Sequence, residues 1–221
     1  MHKSIYNLID IQKEIKSNNF DNKSQIRVIA VSKTFSINDI NPLIEYGHID
    51  FGENKVQEAV DKWTDVKIAN PNINLHMVGK LQTNKVKQAV RIFDYIHSLD
   101  SIKLAKKIHE EQKKIKKNLK MFIQINIGNE NQKSGITIDE LKDFYKFCTI
   151  DLDLNIIGLM CLPPVSIDPS ISFEKMQKTS KDLSIKELSM GMSSDYLIAL
   201  KYDSSFIRVG SKIFGERTIK S

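Results

Sequence analysis

Short apolar runs alternate with stretches of helical rhythm along nearly the whole chain. The first stretch, Ser4–Asn18, places Ile5, Leu8, Ile9, Ile11 and Ile15 on one side and predicts an amphipathic helix. Eight strand-like runs follow: Arg27–Ser32, Ile49–Gly52, Leu75–Val78, Tyr95–Ser98, Met121–Ile127, Ile156–Cys161, Glu187–Met190 and Phe206–Val209. Several are apolar without interruption. Strands buried on both faces read that way, which favours a parallel sheet. Between them the periodicity predicts helices over Ile37–Tyr46, Val56–Lys67, Asn84–Phe93, Ile102–Asn118, Phe173–Leu183 and Tyr196–Leu200. Pro42 suits a first turn and suggests that the Ile37–Tyr46 helix begins nearer Asp39. Thr137 and Glu140 form a capping box for a further helix containing Leu141 and Phe144.

Eight strands alternating with helices after one leading helix predict an α/β protein, a single (β/α)8 TIM barrel occupying residues 1–221 as one domain. An open doubly wound sheet is the competitor. It wants a glycine-rich first turn. The first run here ends in Val31-Ser-Lys-Thr34, and G-x-G-x-x-G occurs nowhere.

In such a barrel the chemistry sits where the strands end. The first run ends at Lys33, the second at Gly52-Glu-Asn54, and the third carries His76. The fifth ends at Asn126, and the sixth carries Met160. The seventh runs into Ser189-Met190-Gly191-Met192-Ser193; the eighth carries Arg208 and ends at Gly210-Ser211. A lysine that follows Val28-Ile-Ala-Val31 points toward a partly dry cavity, where desolvation favours the neutral amine needed to form an imine. Snorkelling to the rim is the plainer reading of Lys33. Small residues and hydroxyls after the seventh and eighth strands suit a phosphate held by backbone N–H groups. Alternation along a strand leaves open whether Arg208 faces inward or lies under a helix. His76 is either a general acid or base or a satisfied core histidine. One acidic residue at a strand end is weak support for Glu53 as a base.

Composition narrows the classes. The chain has 221 residues, 41% hydrophobic and 27% charged, a globular profile. The net charge of +6 is mostly lysine; arginine occurs only at 27, 91, 208 and 217. The basic residues are spread along helix-like stretches such as Lys103–Lys120, without interleaved aromatics, so no nucleic-acid partner is expected. Cys148 and Cys161 form no C-x-x-C pair, and no histidine cluster has metal-ligand spacing. No signal-peptide run opens the chain and no stretch has membrane-spanning length, so a cytoplasmic protein without a membrane partner is expected.

The motifs resemble the pyridoxal phosphate homeostasis protein family over essentially the whole length. They are Ala30-Val-Ser-Lys-Thr34, Phe51-Gly-Glu-Asn54 with Val56-Gln-Glu58, and His76-Met-Val-Gly79 with Leu81-Gln-Thr-Asn-Lys85. Further along stand Ile123-Gln-Ile-Asn126 with Lys133-Ser-Gly-Ile136, then Gly158-Leu-Met160. Leu188-Ser-Met-Gly-Met-Ser193 with Asp195, and Arg208-Val-Gly210 with Ile213-Phe-Gly215, complete the set. Together, in order and at the right spacing, they are highly specific. The resemblance implies a barrel like the N-terminal domain of bacterial alanine racemases. It implies pyridoxal 5′-phosphate (PLP) held as an internal aldimine by Lys33, with Arg208 facing the pyridine nitrogen. The phosphate would rest on Ser189–Ser193 and Gly210–Ser211, and Asn54, His76 and Met190 would complete the cofactor-binding set. Where the family has Gly-Ser-Thr before the last strand, this chain has Asp203-Ser-Ser205; where it has Thr-Ala after the last strand, this chain has Ser211-Lys212.

The resemblance implies a PLP carrier of vitamin B6 homeostasis without turnover, a monomer whose acceptors are PLP-dependent apoenzymes. The alternative is a racemase-like PLP enzyme. Racemases add a C-terminal β domain bearing a catalytic tyrosine; this sequence ends at Ser221, just past the eighth strand, so that domain is not expected.

Overall fold

The computed structural model describes residues 1–20, 26–128, 134–165 and 167–216. Eight strands close into a barrel in chain order, all parallel, with the last beside the first. The chain runs α1 (Lys3–Ser17), β1 (Arg27–Val31), α2 (Ile37–Glu45), β2 (Asp50–Glu53), α3 (Val56–Ala69) and β3 (Asn74–Met77). A 3₁₀ turn (Thr83–Lys85), α4 (Val86–Ile92), β4 (Tyr95–Leu99), α5 (Ile102–Lys114), β5 (Lys120–Ile125) and α6 (Ile138–Lys146) follow. A π turn (Phe147–Asp151), β6 (Ile156–Cys161), α7 (Pro169–Asp182), β7 (Glu187–Ser189), α8 (Tyr196–Lys201), β8 (Phe206–Val209) and α9 (Ser211–Phe214) complete it. The expected barrel and its leading helix are therefore present. Among the described residues no helix is long and apolar enough to cross a membrane.

The uninterrupted apolar runs divide between two cores. Val28 and Ala30 of β1 and Ile207 and Val209 of β8 pack outward against the helices. Ile29, Val31 and Phe206 face the barrel interior with Tyr95, Phe122 and Met160. Arg208 shares the parity of Phe206, so it points inward, the choice that alternation alone had left open.

Several boundaries differ from the expected ones, each for a local reason. Helix α2 begins at Ile37, before Asp39, because the Asp39 carboxylate accepts from the Ser36 backbone N–H at 3.0 Å and from its hydroxyl at 2.6 Å. That cap fixes the first turn and leaves Pro42 inside the helix. Helix α5 stops at Lys114, with Lys116 in the left-handed region at φ 52°. Helix α7 starts four residues before the expected Phe173, where Asp168 accepts from the Ser170 N–H at 2.9 Å and Pro169 takes the first position.

Helix α1 reaches the opposite end of the chain. Glu14 binds Lys212 Nζ at 2.8 Å and accepts from the Tyr196 hydroxyl, while Asn7 Nδ2 donates to the Ile213 carbonyl at 2.8 Å. The leading helix thereby holds the turn that carries Ser211.

Inside the barrel Gly158 has no room for a side chain. A Cβ there would lie 2.3 Å from the Glu187 carbonyl oxygen and 2.6 Å from the Phe122 ring. Gly158→Ala is expected to destabilise the fold by about 1–3 kcal/mol through overpacking. Urea denaturation of the two proteins measures this, and equal midpoints would show that the interior gives way.

Candidate functional site

A cleft of about 590 Å³ opens at the C-terminal ends of the strands, the end where the sequence placed its candidates. Lys33, Asn54, Ser193, Arg208, Gly210 and Ser211 all line it. Ser189, Met190, Gly191 and His76 do not. Met190 is buried in the outer core, its carbonyl accepting from Ser204 Oγ at 2.7 Å. Gly191 shapes the turn: its φ is +91°, and a Cβ would come within 2.7 Å of Ala199 Cβ. Ser189 turns into the barrel interior. His76 lies deeper still, fully buried on β3, because its inward parity aims it at Asp50 and His97. It is a satisfied core histidine, the second of the two readings that its position allowed.

Lys33 sits on a turn held from three sides. Ser32 Oγ donates to Glu53 Oε1 at 2.7 Å, Lys62 Nζ donates to the Ser32 carbonyl at 3.0 Å, and the Thr34 N–H donates to Glu58 Oε1 at 2.6 Å. Lys62 bridges both carboxylates, at 2.9 Å from Glu53 and 3.0 Å from Glu58. Thr34 lies in the left-handed region at φ 69°, a strained conformation for a β-branched residue that the Glu58 contact holds in place. Glu53 is fully buried; Trp63 Nε1 also donates to its Oε1, while Oε2 has no hydrogen-bond partner among the described residues. Burial pushes its carboxyl above the usual carboxylate range, against the pull of Lys62. Glu53 is thus part of the frame around Lys33, not a base in the cleft. Sequence reasoning missed Lys62. Its spacing of four from Glu58 on one helix was the available signal.

Arg208 is buried in the barrel mouth. Nη1 donates to the Ser189 carbonyl and to Ser189 Oγ, both at 2.7 Å, and Nη2 donates to the Cys161 carbonyl at 2.9 Å. A guanidinium has five N–H donors, and these contacts use three of them. Burial lowers its pKa from the ordinary value, and the Cys161 thiol beside it is pushed up to about 12, so it stays protonated. Below Arg208 the interior polar groups connect. Ser189 Oγ lies 2.8 Å from His97 Nδ1, His97 Nε2 is 3.0 Å from His76 Nδ1, and His76 Nε2 is 3.2 Å from Asp50 Oδ1. His97 was not among the sequence candidates; nothing local says that its strand position faces the same interior as His76.

The two serine turns meet at the cleft. Ser193 Oγ accepts from the Lys212 N–H at 3.4 Å, joining the turn after β7 to the start of α9. Asp203, where the family shows glycine, takes φ +63° and accepts from Gln177 Nε2 at 2.7 Å with Lys181 at 3.3 Å. Aspartate tolerates the left-handed region better than most residues, so the loop into β8 keeps its tight path. Lys133 of the quoted motifs and Arg217 lie outside the described residues.

The family model for the N-terminal domain of alanine racemase matches residues 14–218. An alanine racemase of Clostridium difficile superposes with TM-score 0.70 at 12% identity over 99% of this chain and 58% of its own, a likeness of fold alone. The class is thus the racemase-type barrel. Pyridoxal phosphate homeostasis proteins of Pasteurella multocida and of Synechocystis are 36% and 35% identical, covering 88% and 87% of this chain and 88% and 92% of their own. The structure of PipY of Synechococcus elongatus without PLP superposes with TM-score 0.88 at 28% identity, covering 97% of this chain and all of that one. The form of PipY with PLP bound gives 0.81 at 29%, covering 92% and 99%. Within its class, this chain belongs to the pyridoxal phosphate homeostasis protein family.

Two outcomes follow from the buried charges. Lys62→Met leaves Glu53 without its cation and is expected to cost about 3–5 kcal/mol, most of it recovered in the double variant with Glu53→Gln. Urea denaturation of the four proteins of the cycle decides it. His76 and His97 are held neutral by burial, His97 well below the ordinary value of 6.5. As pH falls below about 6.5 the unfolded chain takes up protons that the folded one refuses, so stability drops, by up to about 1.4 kcal/mol per pH unit for each histidine. In His97→Gln the slope of stability between about pH 6.5 and 5.5 should fall by one histidine's share; an unchanged slope would mean that His97 titrates freely in the folded protein.

Proposed function

We propose that this protein binds PLP in the cleft through Lys33 and serves PLP homeostasis without catalytic turnover. In this reading it is a cytoplasmic monomer that supplies PLP-dependent apoenzymes. The observation that carries the reading is Arg208: a buried guanidinium at the cleft, in one pocket with Lys33 and two serine turns. PLP, when bound, supplies an aldehyde carbon, a phosphate dianion and a pyridine ring. Lys33 would hold the aldehyde carbon through Nζ. Arg208 would donate to the ring nitrogen. Ser193 and Ser211 would donate to the phosphate, with backbone N–H groups of their turns. Names of the relatives and the PLP-bound form of PipY support the same ligand.

The cleft is poorly equipped for turnover. Among its described lining residues, Lys33 and Arg208 are the only charged side chains. Arg208 stays protonated, so it donates to the ring nitrogen and gives it no proton, which weakens support for carbanion chemistry. A racemase needs two bases flanking its substrate, and among the described lining residues Lys33 alone could serve as one.

Purified protein with PLP should show an absorbance band that borohydride abolishes, with the added mass mapping to Lys33. Lys33→Ala should lose the adduct and keep the fold; an adduct on Lys80 or Lys85 would overturn the assignment. Ser193→Ala and Ser211→Ala should each weaken PLP binding by about 1–3 kcal/mol without abolishing it. Exchange of amino-acid Cα protons in deuterated water at about 1–1000 per second would make this an enzyme.

A further inference from the structure

The geometry points to a one-way hydrogen-bond relay through the barrel, Asp50–His76–His97–Ser189, that fixes the orientation of the Arg208 guanidinium. We propose these four as positioning residues acting through Arg208. That Arg208 in turn donates to PLP rests on the functional reading above.

The direction of the relay follows from its two ends. Arg208 can only donate, and Ser189 Oγ accepts from its Nη1 at 2.7 Å. The serine hydrogen then goes to His97 Nδ1, 2.8 Å away. With Nδ1 accepting, the His97 proton sits on Nε2 and is given to His76 Nδ1 at 3.0 Å. The His76 proton likewise sits on Nε2 and is given to Asp50 Oδ1 at 3.2 Å. An ionised carboxylate can only accept, so the series closes with each donor matched to one acceptor. The reverse direction is not available at either end. A second proton on His76 would set two N–H groups against each other at 3.0 Å.

The rings cannot turn to other partners. His76 stacks on Tyr95 with centroids 4.2 Å apart and an interplanar angle of 16°, and His97 stacks on Phe122 at 4.3 Å and 15°. The charged and titratable groups around His76 include Asp50, Asp94, Arg27, His48 and His97, together with Tyr95, whose hydroxyl accepts from Lys120 at 3.1 Å; His48 is itself buried, with Nε2 2.9 Å from the Asp50 carbonyl. Those around His97 are His76 and Arg208. Asp50 also accepts from Arg27 at 3.3 Å and from Asn74 Nδ2 at 3.0 Å. Arg27 is partly exposed, at the strand ends opposite the cleft. The relay therefore spans the barrel from one face to the other, linking a surface cation to the cation at the cleft.

The first test needs no cofactor. Nitrogen-15 NMR of the protein alone should show both rings as neutral Nε2–H tautomers from about pH 8 to pH 6. The Arg208 guanidinium should give separate, slowly rotating nitrogen signals. His97→Phe keeps the stacked ring and deletes both relay contacts; it should average those signals. His97→Gln keeps one acceptor and one donor and should restore them. Mixed tautomers, a charged ring at pH 7, or a guanidinium indifferent to His97→Phe would overturn the relay, whatever the cleft binds. The second test uses PLP. His97→Phe, shown by its circular dichroism to be folded, should weaken PLP binding about tenfold and shift the absorbance band, and His97→Gln should restore both. Equal affinity and spectrum in His97→Phe and wild type would show that the relay does not serve the cofactor. Failure of the wild-type protein to bind PLP would instead remove the functional reading, with the guanidinium signals still deciding the relay.

Discussion

A permanent cation inside a closed barrel is the constraint around which this molecule is arranged. Taking the Arg208 guanidinium out of water costs several kcal/mol unless its donors are matched. The backbone offers the carbonyls of Ser189 and Cys161, and Ser189 adds its hydroxyl. Among the described residues no carboxylate forms an ion pair with the guanidinium, and Asp195 acts on it only from a distance. The negative charge on the relay is Asp50, three side chains away. The interior of most barrels of this kind is filled with apolar layers. Here a string of imidazoles runs between Tyr95, Phe122 and Phe206, and the stacked rings supply packing where aliphatic side chains would otherwise stand.

A second frame, built on β1, β2 and α3, does for Lys33 what the interior does for Arg208. Glu53, Glu58 and Lys62 hold the backbone on both sides of the lysine, and Trp63 closes the pocket around Glu53. The strained Thr34 belongs to this frame. The third support comes from far away in sequence: α1 ties down Lys212 and Tyr196, and with them the turn that presents Ser211. Lys33, Arg208 and Ser211 are therefore each held by neighbours that do not themselves line the cleft.

Membership of the pyridoxal phosphate homeostasis protein family and the shape of the cleft point the same way. This barrel places Lys33 and Arg208 in one pocket, and the described lining adds no carboxylate or imidazole to them. The contrast between a rich polar interior and a chemically sparse cleft is itself informative. Asp50, His76 and His97 lie below the floor of the cleft and do not line it.

Much of this was legible in the sequence. Strand and helix alternation is a local property of apolar spacing, so the eight strands, the leading helix and the capping box at Thr137 could be read from neighbours a few residues apart. The motif segments carried Lys33, Asn54, Ser193, Arg208, Gly210 and Ser211 to the cleft. What stayed hidden depended on closure. A strand alone does not say which of its two faces is the inside; only when β8 pairs with β1 does Arg208 acquire its direction. His76 and His97 are 21 residues apart on different strands, and Ser189 lies 92 residues beyond His97, so nothing in their spacing announces a contact. The sequence by itself determined the elements, their order and the residue types at the strand ends. Tertiary structure alone decided which polar side chains meet inside, because a buried donor takes its partner from whatever the closed barrel brings within 3 Å or so, and that distance is set by the fold as a whole.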